Sequence, residues 1–210
     1  MSRFYVLDYQ GGAPGCPAFI SGTIAEFVKK EWDDDEPDVV ATYRKKKPLE
    51  LVAKHPSLDF DFAKVHSLFL CSEHLLAKLE GLSASLETRA LRVLAGKKEM
   101  KAKRFFACRV NDRLYAMDTQ RSVYQVMRTP TGEIRSHWVD ASKRHYKNVY
   151  TLVIDPVAAA GNDLFWSYEA CRHIVSERLA ERLEGLLGVS VTRTEDYVFP
   201  VLGTKTVDMG

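Results

Sequence analysis

The stretch SEHLLAKLEGL at residues 72–82 returns in the second half of the chain as SERLAERLEGL at residues 176–186. The shared pattern is Ser-Glu-x-Leu-x-x-x-Leu-Glu-Gly-Leu, and each position has a physical reading. Ser72 and Ser176 are suited to cap a helix, because a side-chain oxygen there satisfies an orphan backbone N–H. Glu73 and Glu177 follow at the positive end of the helix dipole. Leu75, Leu79 and Leu82, like Leu179, Leu183 and Leu186, recur at helical spacing, and Gly81 and Gly185 stand where such a helix stops. Neither copy has Glu or Gln three positions after the Ser, so a full capping box is absent. Each copy is preceded by a short apolar run, SLFLC at 67–71 and CRHIV at 171–175. The repeat therefore reads as a strand feeding a capped amphipathic helix, used twice as scaffold.

Working outward, strand patterns dominate. RFYVLDY at 3–9, LELVAK at 49–54, LETRALRVLA at 86–95, RFFACRV at 104–110, SVYQVMR at 122–128, IRSHWVD at 134–140, NVYTLVID at 148–155 and VSVTRTEDYVF at 189–199 are rich in β-branched and aromatic residues. TPTGE at 129–133 separates two of them as a turn. TIAEFVKKEW at 23–32 places Ile24, Phe27 and Val28 on one helical face, predicting a short helix capped by Ser21 or Thr23. No long Pro, Gly or Ser linker divides the chain. The expectation is one α+β domain over residues 1–210, a mostly antiparallel sheet covered by a few helices.

The chain has 210 residues, enough for a substantial core, and 30 Lys plus Arg against 28 Asp plus Glu give a net charge of only +2. Whole-surface attraction to nucleic acid or to anionic lipid is thereby disfavoured, and any electrostatic function must be local. Cys16, Cys71, Cys108 and Cys171 form no Cys-x-x-Cys pair, which argues against a zinc module and predicts reduced thiols. MSRFYVLDYQGG has no leader pattern and no run of apolar residues is long enough to span a bilayer, so a cytoplasmic protein is expected.

The common nucleotide, metalloprotease and nucleophile-elbow signatures are missing, so no enzyme, cofactor or metal is expected. Three constellations remain. Asp59 and Asp61 alternate in LDFDF and, with Asp118 or Asp155, offer carboxylates for a divalent cation in a metal-dependent hydrolase. Lys97, Lys98, Lys101, Lys103 and Arg104 adjoin Phe105 and Phe106, a combination that suits phosphate contact and base stacking in a nucleic-acid-binding protein using residues 97–106. The run Glu31, Trp32, Asp33, Asp34, Asp35 and Glu36 combines acidic charge with a large aromatic, the chemistry of a contact loop for a protein partner. Cys108 and Cys171, lying in apolar patterns, read as packing residues before they read as nucleophiles.

The order FFACRVNDRLYAMDTQRS, VYTLVIDPVAAAGNDLF and IVSERLAERLEGLLGV resembles immunity protein family eleven of bacterial polymorphic toxin systems. The resemblance is carried by Asp118 and Ser122, by Phe165, by Val175, Ser176 and Glu177, and in the first half by SLDFDF and LCSEHLLAKL. It spans roughly residues 57–199, with residues 1–56 weakly matched. It implies a cytoplasmic antitoxin, encoded beside a toxin delivered by type VI secretion in interbacterial competition, that binds and blocks the cognate toxin domain. It brings no catalytic residues and assigns no toxin contacts.

Overall fold

The computed structural model describes residues 3–18, 20, 22–25, 49–55, 57–65, 68–137 and 139–200. The described elements are β1 (Phe4–Tyr9), β2 (Gly22–Ala25), β3 (Leu49–Ala53), β4 (Phe62–Val65), β5 (Leu68–Ser72), α1 (Glu73–Lys78), β6 (Leu86–Ala95), β7 (Lys98–Glu99), β8 (Phe105–Val110), β9 (Arg113–Leu114), β10 (Val123–Val126), β11 (Tyr146–Thr151), β12 (Leu164–Ser167), β13 (Arg172–Ser176), α2 (Glu177–Arg182) and β14 (Val189–Arg193). The architecture is mostly β. The two helices among these residues have six residues each, shorter than the covering helices expected of an α+β domain.

One sheet runs β14-β1-β13-β12-β9; a second runs β2-β3-β6-β8-β5-β4, with β7 on β6; β10 and β11 form a separate ribbon. Most pairings are antiparallel, the exceptions being β3 with β6 and β12 with β9. The expected helix at 23–32 is corrected at its start, and its remainder, 26–32, lies outside the described residues. Gly22–Ala25 is a strand, because Thr23 and Ile24 pair with Val52 and Leu51, and this sheet partner overrides the local helical period.

The recurrence in sequence is a recurrence in three dimensions. Phe62 pairs with Cys71 and Val65 with Leu68; Leu164 pairs with Val175 and Ser167 with Arg172 in the same register. Ser72 stands opposite Phe105, and Ser176 opposite Phe4. On the outer side, Val110 pairs with Leu86 as Tyr9 pairs with Val189. Thus β4-β5-α1-β6-β8 in one copy corresponds to β12-β13-α2-β14-β1 in the other. The fourth strand of the second copy is supplied by the N-terminal segment, so RFYVLDY occupies the place that RFFACRV holds in the first.

Alternation along these strands builds three cores. Phe69 and Cys71 in β5, and Val175 in β13, face a central core with Phe62, Leu164, Leu75, Leu79, Leu179 and Leu183. The other face, Leu70 in one copy and Ile174 in the other, enters a separate core specific to that copy. Burial on both faces explains why SLFLC is a continuous apolar run.

Both helices are capped as the sequence implies. The Ser72 hydroxyl accepts from the N–H groups of His74 and Leu75 at 3.2 and 3.4 Å, and Ser176 from Leu179 at 3.3 Å. Each helix ends at the second leucine of the pattern, and the glycine two residues later adopts φ of +70° at Gly81 and +79° at Gly185. A left-handed glycine lets the chain leave the helix without a Cβ clash.

Leu79 and Leu183 are 8% and 1% exposed. Leu79→Ala and Leu183→Ala should each cost about 2 to 5 kcal/mol in urea denaturation, with Leu183 the larger loss. A change within about 0.5 kcal/mol, the range of surface substitutions, would contradict the central core.

Candidate functional site

Asp61 and Asp163 immediately precede equivalent strands, and the buried carboxylate in each position does the same work. Asp61 Oδ1 accepts from the Ser72 hydroxyl at 2.6 Å, and Oδ2 accepts from the Leu187 N–H at 2.8 Å. Asp163 Oδ1 accepts from the Ser176 hydroxyl at 2.6 Å, and Oδ2 from the Ser83 N–H at 2.9 Å. Leu187 and Ser83 follow Gly185 and Gly81 at the same distance. Each aspartate therefore holds the capping serine of its own copy and the turn after the helix of the other. Backbone bonds run alongside: Asp61 N–H to Leu187 C=O at 2.6 Å, and Asp163 N–H to Ser83 C=O at 2.8 Å.

A cation completes each cluster. Lys103 Nζ lies 3.1 Å from Asp61 Oδ1 and 2.5 Å from Asp59 Oδ1, while the Arg178 guanidinium binds Asp163. At the helix starts, Glu73 pairs with Arg104 at 2.5 Å and Glu177 with Arg3 at 3.1 Å. Burial pushes the Asp61 carboxyl up, but the Ser72 hydroxyl, the Leu187 N–H and Lys103 outweigh it and hold it below the usual carboxylate range. For Asp163 burial acts in the same direction and is outweighed by Arg178, Ser176 and the Ser83 N–H.

These contacts correct the divalent-metal reading of Asp59 and Asp61. The ammonium of Lys103 sits between the two carboxylates, where it supplies the compensating charge a metal would bring. Asp118 and Asp155 are spent on turns instead: Asp118 accepts from the N–H groups of Gln120 and Arg121, and Asp155 from that of Val157. Among the described residues, no group of three or more His, Cys, Asp or Glu is placed to hold a metal ion.

Of the residues 97–106 named for base stacking, several side chains are engaged within the fold. Phe105 is 3% exposed and packs against Phe60 at 4.8 Å between ring centroids, and Phe106 lies half-buried against the central core. Lys103 and Arg104 are committed to the pairs just described, which leaves Lys97, Lys98 and Lys101 exposed. Lys98 and Lys101 line a cavity of about 370 Å³ together with Leu58, Ala95, Met100 and Ala102.

Of the cysteines, Cys16, Cys71 and Cys108 are buried and Cys171 is exposed, all as thiols. Cys71 and Cys108 meet at 3.3 Å in the central core, and burial, with Cys108 adding to it, pushes the Cys71 thiol far above its ordinary value. Such a pair is packing, not a nucleophile. The acidic run Glu31, Trp32, Asp33, Asp34, Asp35 and Glu36 lies outside the described residues.

The surface that sequence reasoning passed over is the ribbon of β10 and β11 with the segment joining them. Arg128 bridges Ile134, Ser136 bridges Arg144, and Met127 N–H donates to His145 C=O, so residues 127–145 fold back on the ribbon. Its inner side is fastened by rings. The Tyr115 hydroxyl and His137 Nδ1 lie 2.6 Å apart, Tyr115 stacks on Tyr168 at 4.7 Å, and Tyr124 meets Tyr146 edge-on at 5.1 Å. Beneath them, buried Glu169 accepts from the Met117 N–H and the Ser167 hydroxyl. Two register shifts interrupt β10–β11, so the strand patterns at 122–128 and 148–155 do not disclose how the two pair.

The aspartate clasp has a pH signature. Asp61 and Asp163 have folded-state values below their unfolded ones, so their stabilisation is fully present above about pH 4 and is lost as pH falls through the folded values. Asp61→Asn should cost about 1.5 to 3 kcal/mol at pH 7, the range for hydrogen bonds to a charged group. The gap from the parent should close in urea denaturation at progressively lower pH below about 4, where the parent Asp61 also becomes protonated. A gap independent of pH would show that the charge of Asp61 is not what the cluster uses. No family model matches this chain, and no curated protein sequence matches it.

Proposed function

We propose that the chain is an immunity protein, which binds a cognate antibacterial toxin domain in the cytoplasm and neutralises it by protein–protein association. The observation that carries this reading is a division of labour. The buried carboxylates Asp61 and Asp163 are saturated by hydroxyl, backbone and cationic partners that hold the two copies together. The segments inserted between equivalent strands run from β1 to β4 and from β8 to β12, and in the second Arg128, Arg135, Lys143, Arg144 and Lys147 are exposed. A rigid scaffold carrying variable insertions suits recognition, because binding residues gather on loops positioned by a fixed frame. The resemblance over residues 57–199 points to the same class.

The first insertion contains Glu31, Trp32, Asp33, Asp34, Asp35 and Glu36, which the reading assigns to toxin contact from their charge and aromatic character. A complex of this kind buries on the order of 1,600 Å² in total.

Co-expression of the product of the adjacent gene, with and without this chain, tests the reading directly. Protection of the cells and copurification of the two proteins are expected. A neighbour that is harmless alone, or toxic whether or not this chain is present, would refute it. Lysine replacement of Asp33, Asp34 and Asp35 together with Trp32→Ala should weaken the complex by at least about tenfold in calorimetry, as loss of interface anchors does. Unchanged affinity would remove the acidic run from the interface.

A further inference from the structure

We infer that the outer surface of the β10–β11 ribbon is a protein-docking surface, and that its partner presents an acidic rim around an apolar patch. The inference rests on the immunity reading, since that reading supplies the partner, and it places contacts in the second insertion.

Charge is the first argument. Between residues 123 and 151, Arg128, Arg135, Lys143, Arg144 and Lys147 face only Glu133 and Asp140, a net of +3 within a chain whose total is +2. All five cations are exposed, and none forms an ion pair with a carboxylate among the described residues. Elsewhere Arg3, Arg92, Arg104, Arg178 and Lys103 are each paired with an acid. Arg128 donates to the Gly132 C=O, Arg135 to the Met127 sulfur, and Lys143 lies over the Tyr115 ring, so these cations are positioned without an ion pair to a carboxylate among the described residues.

Apolar exposure is the second. Among the described residues seven large apolar side chains are exposed, and Val123, Ile134, Val139 and Tyr150 fall within this same segment, at 56%, 42%, 42% and 45%. Val123 pairs with Thr151, which follows Tyr150 in the chain, and Ile134 sits opposite Arg128 across the turn. Apolar groups set among unpaired cations match the composition of a recognition patch, in which an apolar centre is rimmed by polar groups.

Rigidity is the third. The inner side is pinned by the Tyr115, His137 and Tyr168 rings, by Lys143 lying 5.6 Å over Tyr115, and by the Asn148 amide donating to Gln125 at 3.0 Å. The outer groups are held before any partner arrives, which lowers the ordering cost of association. Protein is favoured over nucleic acid because Val123, Ile134 and Val139 are aliphatic and cannot stack on bases, and because Glu133 and Asp140 would repel phosphates.

The test uses the full chain and the purified toxin domain encoded by the adjacent gene. Arg144→Glu combined with Lys147→Glu, and separately Tyr150→Ala, should each weaken binding at least about tenfold in calorimetry while thermal denaturation stays close to that of the parent. The parent complex should weaken between low and high salt, and the charge-reversed variant should lose most of that dependence. Lys97→Glu with Lys101→Glu serves as a control on another basic surface and should bind as the parent does. If the parent binds and the folded ribbon variants bind equally well, or if the control loses as much, the docking surface is overturned and the immunity reading stands. If the parent does not bind the neighbour at all, that reading fails and takes this inference with it. Binding of a labelled single-stranded oligonucleotide that the ribbon variants abolish would overturn a protein partner in favour of nucleic acid.

Discussion

A buried aspartate that reaches across from its own copy to the other is the constraint on which the rest of this structure depends. Asp61 binds the cap of α1 and the turn after α2; Asp163 binds the cap of α2 and the turn after α1. A carboxylate buried in this way is costly unless its lone pairs are filled, and each is filled by a hydroxyl, a backbone N–H and a cation. Because the partners come from both copies, neither helix can move without leaving a charge unsatisfied. The apolar contacts of Leu75, Leu79, Leu179 and Leu183 are non-directional, whereas the aspartates set how the two units meet.

The arrangement also explains the course of the chain. Each copy needs a strand beside its capped hairpin, and the first takes β8 from the residues that follow β6. The second has no following strand of this kind among the described residues and takes β1 from the other end of the chain. Arg3 and Arg104 then meet Glu177 and Glu73 at matching places, so even the surface ion pairs repeat. These exposed pairs add little stability individually. Their recurrence follows from the shared register and does not create it.

Local features were legible in the sequence and distant pairings were not. Ser caps, leucine spacing and terminal glycines act within about one or two helical turns, and all of them stand where the pattern placed them. RFYVLDY and RFFACRV were each recognised as strands, but their equivalence rests on pairing with Ser176 and Ser72, which no local period encodes. In the sequence Asp61 stands out through Asp59 two positions away, but its decisive partners are Ser72, Lys103 and Leu187. Lys103 inverted the meaning of that pair from a metal site to an ion pair. Phe105 and Phe106 alternate across a strand, so a basic flank could not make both available to a ligand. Within 23–32, Thr23 and Ile24 are drawn into a strand by partners nearly thirty residues away, while Phe27 and Val28 lie outside the described residues.

A balanced net charge, finally, conceals how unevenly charge is used. On the scaffold, Arg3, Arg92, Arg104, Arg178 and Lys103 are paired with acids, and each such pair nearly cancels in the long-range field. The second insertion departs from this rule, with five cations and two acids on a ribbon whose inner rings are already packed. The first insertion includes an acidic run followed by a basic one, Asp33 to Asp38 and Arg44 to Lys47. Insertions can vary in charge without disturbing the clasp, because Asp61 and Asp163 draw their hydrogen bonds from the repeated elements, and Lys103 and Arg178 lie beside those elements. Under the proposed function, stability and recognition are then placed on different residues, and a change in partner need not reopen the core.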